Sequence, residues 1–330
     1  MAGIAGGGPT TVNVAGVALL AAATTLVATP VAMVVARRTG IVDRPGPLKP
    51  QTSPVPYLGG AAVMAGIAVG TFGQRVSVLV PLLLALVLGI ADDKKGIPPI
   101  FRLVAEFVIG GVVLAVCPLH VPGAVAVLII PVTVLLINGV NLLDGMDMLA
   151  AGVVGVAAVG FAVLLLGPDR HLAVALAASL AGFLVFNRPP ARIYLGDGGA
   201  YLLGTALAVL VAGAWAPKVS TTSGVAAAGL IVVPVAEVAF AMIRRIRGRR
   251  SLVDGDRRHP YDLLAARGWS TWATTGTYVG LQLAITLAVV VTGRRSSLQT
   301  AVIVDGLAAL LLVLLAGASG ALSPEQEAVP

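Results

Sequence analysis

What this chain can fold into is decided by its succession of apolar blocks. Eleven stretches, roughly 12–36, 56–72, 76–91, 99–117, 121–138, 147–166, 171–187, 199–216, 224–243, 272–292 and 299–318, are nearly free of charge and are separated by short polar or Pro/Gly-containing breaks. A helix of about 20 apolar residues crosses a bilayer core, and in lipid a helix satisfies its own backbone polar groups. With 58% hydrophobic and only 11% charged residues, a soluble fold is excluded. Small side chains, among them 40 glycines, let such helices approach closely. The expectation is an all-α, polytopic membrane protein of ten or eleven transmembrane helices, because several blocks are short. It forms one domain over residues 1–330, without strands, internal repeats or a separate soluble unit.

No basic segment of the kind that opens a signal peptide precedes the first block, which predicts a retained first span. Cys117 is the chain's one cysteine and lies within an apolar stretch, so neither a disulfide framework nor a thiolate metal site is available. Residues 323–330 read as a short disordered tail.

A net charge of +7 invites a nucleic-acid reading, but the basic residues follow the alternation of a membrane protein instead. Loops after the first, third, seventh and ninth blocks hold 17 of the 22 Lys and Arg, eight of them in the long loop 244–270. The opposite loops hold Arg75, Arg170, Lys218, Arg294 and Arg295. Basic residues stay on the cytoplasmic side. This predicts a multi-pass plasma-membrane protein with its N-terminus outside, its C-terminus inside and no nucleic-acid partner.

Four polar clusters fall in the loops assigned to the inside. Asp92 and Asp93, followed by Lys94 and Lys95, leave the third block. Adjacent carboxylates repel, which suits acid/base or metal chemistry, although an interfacial charge cluster balanced by the two lysines accounts for them equally well. Asn138, Asn141, Asp144 and Asp147 recur at a spacing of three, which in a helix sets two amides and two carboxylates on one face. Oxygen donors so arranged suit a hard cation such as Mg²⁺, and helix capping explains one of the four residues but hardly all. In Arg192-Ile193-Tyr194-Leu195-Gly196-Asp197-Gly198-Gly199 a carboxylate sits in a glycine-rich turn, where glycines let backbone approach a phosphate; a plain Gly-Asp-Gly-Gly turn is the simpler account. Finally, Arg244 to Arg250 form a basic run suited to orientation or anionic lipid, followed by Arg257, Arg258 and His259.

In this order the four clusters, together with Pro54-Val55-Pro56-Tyr57-Leu58-Gly59-Gly60, resemble the polyprenyl-phosphate N-acetylhexosamine-1-phosphate transferases, glycosyltransferase family 4. That family includes the bacterial lipid-carrier GlcNAc-1-phosphate transferases and phospho-MurNAc-pentapeptide translocase. The likeness runs from Asp43 to about Leu264. It implies a helical bundle and a Mg²⁺-dependent transfer, with Mn²⁺ an admissible substitute, from a UDP-N-acetylhexosamine to a polyprenyl phosphate at a cytoplasmic site beside a groove for the prenyl chain. It also admits a homodimer.

Carried over by position, the resemblance makes Asp92 and Asp93 the acids near the lipid phosphate, Asn141 and Asp197 the Mg²⁺ ligands, and Asp144 and Asp147 neighbours of the nucleotide-sugar. Tyr194 falls where a ring can lie against uracil, and Lys49 is a further nucleotide contact. By their own chemistry, His259 and at least one of Arg257 and Arg258 are expected to hold the donor diphosphate, binding of anionic lipid headgroups being the alternative. Three departures stand out: His259-Pro260-Tyr261-Asp262 replaces a His-x-His-His pattern, Met148 a commoner glycine, and Gly198-Gly199-Ala200 a Thr-Gly-Ser. The missing histidines favour GlcNAc over the MurNAc-pentapeptide substrate. A transporter reading rests on Glu106, Glu237 and Asp305 inside the blocks, and a non-catalytic scaffold is the third alternative. Arg102, four residues before Glu106, supplies a simple helical ion pair.

Overall fold

A computed structural model describes residues 13–44, 53–74, 76–249 and 258–322. Lys49, Arg257 and the tail 323–330 lie outside the described residues. The chain is all-α and polytopic, as its apolar blocks require. Its helices are α1 (Val14–Thr39), α2 (Gly59–Gly70), α3 (Leu79–Lys95), α4 (Pro99–Val116), α5 (Gly123–Ala126), α6 (Ile129–Leu143), α7 (Leu149–Leu164), α8 (Gly167–Asn187) and α9 (Gly196–Gly213). They continue with α10 (Thr221–Ala226), α11 (Val232–Arg247), α12 (Pro260–Ala266), α13 (Thr271–Arg295) and α14 (Leu298–Ala318).

Among the described residues, nine helical segments are long and apolar enough to cross a membrane. Two shorter apolar helices, α2 and α7, occupy the second and sixth blocks. A 3₁₀ stretch, Ala227–Ile231, joins α10 to α11 within one such segment. Local chemistry sets the ends. Asn13 accepts the Gly16 N–H at 2.6 Å to start α1, and Ser270 accepts from Ala273 at 3.2 Å to start α13, each satisfying a donor that the first turn leaves open. Arg37 and Arg38 close α1 before Gly40, whose φ of 72° takes the left-handed cap.

One strand pairing contradicts the expectation of none. Val42–Asp43 (β1) and Val55–Pro56 (β2) form a two-residue antiparallel ladder, Val42 opposite Pro56 and Asp43 opposite Val55. The ladder is too short to leave a period-two signal, yet it fixes where Asp43 and Tyr57 stand.

Helix α9 is the centre of the bundle: 89% of an 18-residue stretch of it is buried, against 22% in α4 and α14. Glycines make this enclosure possible. A methyl group on Gly60 of α2 would run into the Gly199 backbone, one on Gly89 of α3 into the Asp197 carbonyl, and one on Gly204 of α9 into the α6 backbone at Ile137. The outer helices instead present Leu, Val, Ile and Phe outward, for example Phe101, Val104 and Val108 on α4 and Leu307, Leu310 and Leu314 on α14. In water such surfaces would aggregate; facing lipid tails they are solvated.

Candidate active site

The chemistry-bearing residues meet at one end of the bundle, where α9 begins. Gly196 adopts φ 71°, and a side chain there would collide with the Asp93 carboxylate and the Tyr57 carbonyl, so glycine is required on both counts. The helix that follows has orphan N–H groups, and Asp93, in the last turn of α3, answers them. Its Oδ1 accepts the Asp197 N–H at 3.1 Å and its Oδ2 the Gly198 N–H at 3.3 Å. A carboxylate at a helix N-terminus is stabilised by those donors and by the helix dipole.

Asp92, one position earlier, points elsewhere because successive helical residues are about 100° apart. It is buried, and both its oxygens are taken by protein. Oδ1 accepts the Ile97 N–H at 2.7 Å, while Oδ2 accepts the Tyr201 hydroxyl at 2.6 Å and Arg102 Nη1 at 3.4 Å. Arg102 also pairs with Glu106 at 3.6 Å, and Glu106 accepts Asn138 Nδ2 at 2.6 Å. The charge balance read from the sequence is therefore corrected: Asp92 is bonded to Arg102 and Tyr201, and Lys94 and Lys95 are exposed. The helical pair of Arg102 and Glu106 is present as expected.

The spacing of three in Asn138, Asn141, Asp144 and Asp147 does not form a continuous helical face. Helix α6 ends at Leu143, so Asp144 is its C-cap and Asp147 lies in the turn that follows. Asn138 belongs to the Glu106 network. Asp147 Oδ2 accepts the Ala191 N–H at 2.9 Å, and the Asp147 carbonyl accepts Thr275 Oγ1 at 3.1 Å. Among the described residues, no hydrogen bond holds the side chains of Asn141, Asp144 or Asp197. Burial, then the charges of Asp197, Asp93 and Asp147, pushes the Asp144 carboxyl well above the usual aspartate range. Asp147 is also raised, by burial, against the lowering effect of the Ala191 N–H.

The Gly-Asp-Gly-Gly segment is no turn but the first turn of α9, and its glycines face helices rather than open space. A methyl group on Gly198 would stand 2.8 Å from Ile90 Cγ1, and one on Gly199 would meet Leu195 at 2.8 Å. Ile90 thus fills the place that a larger residue at position 198 would need, which accounts locally for the glycine there; nothing in the structure explains Ala200. Met148 carries the second departure at φ 67°, a left-handed conformation that glycine adopts freely. Asn187 pins it: its Oδ1 accepts the Met148 N–H at 2.9 Å, and its Nδ2 donates to the Ile193 carbonyl at 2.9 Å.

Backbone pairing places the aromatic wall. Tyr194 N–H donates to Pro56 O at 2.8 Å, Gly59 N–H to Tyr194 O at 3.0 Å and Gly60 N–H to Leu195 O at 3.1 Å. These bonds bring the Tyr57 and Tyr194 rings to 6.4 Å between centroids, tilted by 42°. The Tyr57 hydroxyl is raised above its ordinary pKa by burial, by its bond to Asp43 and by the charges of Asp43, Asp93 and Asp197. Tyr194 is pushed up to about 12 by burial, then Asp147, Asp43 and Asp144. Each of the two hydroxyls is thus within the field of three carboxylates, Asp43 acting on both.

His259 is 2% exposed. Its Nδ1 meets Glu237 Oε2 of α11 at 2.9 Å, and its backbone N–H donates to Asp262 Oδ2 at 3.1 Å. The ring stacks on Tyr261, centroids 5.2 Å apart and 6° from parallel. Tyr261 in turn donates to Leu142 O at 2.7 Å, two residues before Asp144. The residues replacing the missing histidines, Tyr261 and Asp262, thus both hold His259. Arg258 is partly buried beside it. Tyr57, Tyr201 and Asn187 carry no assigned role on sequence grounds, and Glu237 enters there only under the transporter reading, whereas here it holds His259. Tyr201 lies four residues after Asp197, one helical turn on, which is the signal that could have marked it.

An oxygen-only donor set with mutually repelling carboxylates suits a hard divalent cation. Among the described residues no group of three or more His, Cys, Asp or Glu side chains is placed to hold a metal ion, so a cation at this site would draw most of its shell from water or substrate oxygens.

Residues 75–214 match the model of glycosyl transferase family 4. The chain is 30% identical, over 75% of its length and 76% of the relative's, to a probable undecaprenyl-phosphate N-acetylglucosaminyl 1-phosphate transferase of Bacillus subtilis. It is 26% identical, over 77% of both chains, to the decaprenyl-phosphate N-acetylglucosaminephosphotransferase of Mycobacterium leprae. A phospho-N-acetylmuramoyl-pentapeptide-transferase of Bacillus pumilus is 35% identical over 45% of this chain and 46% of its own.

Proposed function

Because the chain belongs to glycosyl transferase family 4, we propose that it transfers GlcNAc 1-phosphate from UDP-GlcNAc to a polyprenyl phosphate, releasing UMP. A phosphate oxygen of the lipid attacks the sugar-bearing phosphorus, a new P–O–P bond forms, and the bond to the UMP oxygen breaks. The observation that carries this reading is the meeting of Asp93, Asp144, Asp147 and Asp197 with the Tyr57–Tyr194 pair at the start of α9. Likeness to the GlcNAc-phosphate transferases spans about three quarters of the chain and that to the pentapeptide transferase under half, which favours GlcNAc.

Asp93 is the residue we assign to take the proton of the lipid phosphate. It faces the α9 N-terminus, whereas Asp92 is committed to Tyr201 and Arg102 and braces α3 against α9 and α4. Asn141 and Asp197, with side chains unclaimed by protein donors, are the proposed Mg²⁺ ligands, Asp144 standing beside them. When bound, Mg²⁺ offsets the charge of the donor diphosphate and of the leaving UMP. Tyr194 offers its face to uracil, Asp147 is held at the same wall, and His259 with Arg258 is assigned to the donor diphosphate. The outward apolar faces of α3 and α4, including Leu83, Val87, Phe101 and Val104, give the prenyl chain an approach from the lipid.

The basic-residue asymmetry supports a cytoplasmic site in the plasma membrane, with the N-terminus outside and the C-terminus inside. Arg244, Arg247 and Arg267 donate to Ala321, Leu322 and Ser319 carbonyls at 2.9 Å, which ties the end of α14 to the same end of the bundle as His259. A homodimer remains part of the proposal, carried by the family resemblance. The deciding experiment gives folded protein in detergent UDP-GlcNAc, a polyprenyl phosphate and Mg²⁺. UMP and lipid-linked GlcNAc in equal amounts, abolished by EDTA and restored by Mg²⁺, are expected. No product with either undecaprenyl or decaprenyl phosphate would overturn the reading.

A further inference from the structure

Glu237 sits on α11 inside an apolar segment, 2% exposed, where an ionisable side chain is costly unless it is paired. Both of its oxygens are occupied. Oε2 contacts His259 Nδ1 at 2.9 Å and Oε1 accepts the Tyr278 hydroxyl of α13 at 2.9 Å. A carboxylate that accepts at both oxygens requires the proton of the imidazole on Nδ1. Among the described residues, Nδ1 is the ring nitrogen with a protein partner, so Nε2 is left for a ligand.

The ring's plane is also set. Tyr261 stacks on it and is itself anchored to Leu142 O, while Gly145 leaves room for the Tyr261 hydroxyl, which a side chain at 145 would strike. Tyr278 meets Tyr261 edge-on, centroids 6.3 Å apart at 70°. Three elements, α11, α12 and α13, thus converge on one imidazole, more apparatus than a loop anchor needs. A simple clip between helices would be served by apolar contact without placing a carboxylate in the bundle.

We propose that Glu237, oriented by Tyr278, is a positioning residue that fixes the tautomer and direction of His259 so that Nε2 meets the donor diphosphate. The proposal rests on the reading of His259 as a diphosphate contact. Glu237 touches no substrate and acts through His259 alone.

The test is a double-substitution cycle on the full chain in detergent, reading UMP release with UDP-GlcNAc and polyprenyl phosphate varied in turn. Glu237→Gln keeps the volume and removes one of the two acceptor positions. It is expected to lower kcat/KM for UDP-GlcNAc by about 10- to 100-fold, the usual effect of losing a partner that orients a histidine, with KM for the lipid acceptor within about twofold. In a His259→Ala background the same change is expected to have no further effect, since residues acting through one group are not additive. A further loss in that background, or an equal loss toward both substrates, would show a packing role and overturn the proposal. An impaired His259→Ala beside an unimpaired Glu237→Gln would overturn this inference alone. A His259→Ala protein with unchanged kinetics would remove His259 from the site, and the inference with it. If Glu237→Gln fails to fold, Tyr278→Phe decides: it keeps the ring and is expected to lower the same parameter several-fold, and an unchanged value overturns the proposal.

Discussion

Replacing Asp93 with Asn separates two jobs that the structure gives one carboxylate. Asp93 accepts two backbone N–H groups of α9, at 3.1 and 3.3 Å. Asparagine has one acceptor oxygen, so one bond is lost, and its amide hydrogens then face the abandoned N–H. A hydrogen bond to a charged group contributes about 1.5–3 kcal/mol, and the carboxylate's interaction with the helix dipole about 0.3–1 kcal/mol. Asp93→Asn therefore loses about 2–3 kcal/mol at the helix end, offset in part because its charge, like that of Asp197, lies beside Asp144; the net expectation is a destabilised fold and, with the proposed base removed, turnover lowered by about a hundredfold or more. Asp197→Asn offers the contrast. Its side chain has no hydrogen bond among the described residues and adds a negative charge beside Asp144 and Asp93. It is expected to cost as much turnover while leaving metal-free stability unchanged or raised. Equilibrium unfolding in mixed SDS micelles, with EDTA, measures the first quantity and UMP release the second. If Asp93→Asn were as stable as the unmodified protein, or if Asp197→Asn were the weaker of the two, the division of labour drawn here would be refuted.

Gly89→Ala adds one methyl group against the Asp197 carbonyl and must part α3 from α9, so it should cost about 1–3 kcal/mol of stability and much of the activity, read by the same two assays. The pH dependence of metal-free stability follows from Asp144, whose carboxyl is raised in the fold. The folded state holds that proton more tightly than the unfolded chain, so stability is present below the ordinary aspartate value and falls as pH rises through the raised one. Thermal midpoints in EDTA should decline across that window, and Asp144→Asn should flatten the decline; an unchanged slope contradicts the assignment. For topology, a cysteine at Gly96 on a Cys117→Ala background should resist impermeant thiol reagents in intact cells, and labelling from outside would reject the orientation.

Hydropathy alone determined that this chain is an all-α membrane protein with helices at eleven places, because backbone in lipid must pair within a helix or a closed barrel and long unbroken apolar runs, without a barrel's alternation, leave the helix. The order of Asp92-Asp93, Asn141, Asp144 and Asp197 was equally legible, since these polar residues interrupt long apolar runs at helix ends. Which way each side chain turns was not. Asp92 and Asp93 are neighbours in sequence, but a rotation of about 100° sends one to Tyr201 and Arg102 and the other to the α9 N-terminus. Gly198 and Gly199 suggest a phosphate cradle until Ile90 and Leu195 are seen against them. Asn138, in step with Asn141 and Asp144, belongs to Glu106, because α6 ends before the spacing can make a stripe. Glu237 reads as a stray acid in a span until His259, 22 residues later, folds back onto it. Local pattern fixes the period of a helix and the face it buries, whereas the partner of a buried polar group is chosen by elements distant in sequence, and only their packing in three dimensions decides it.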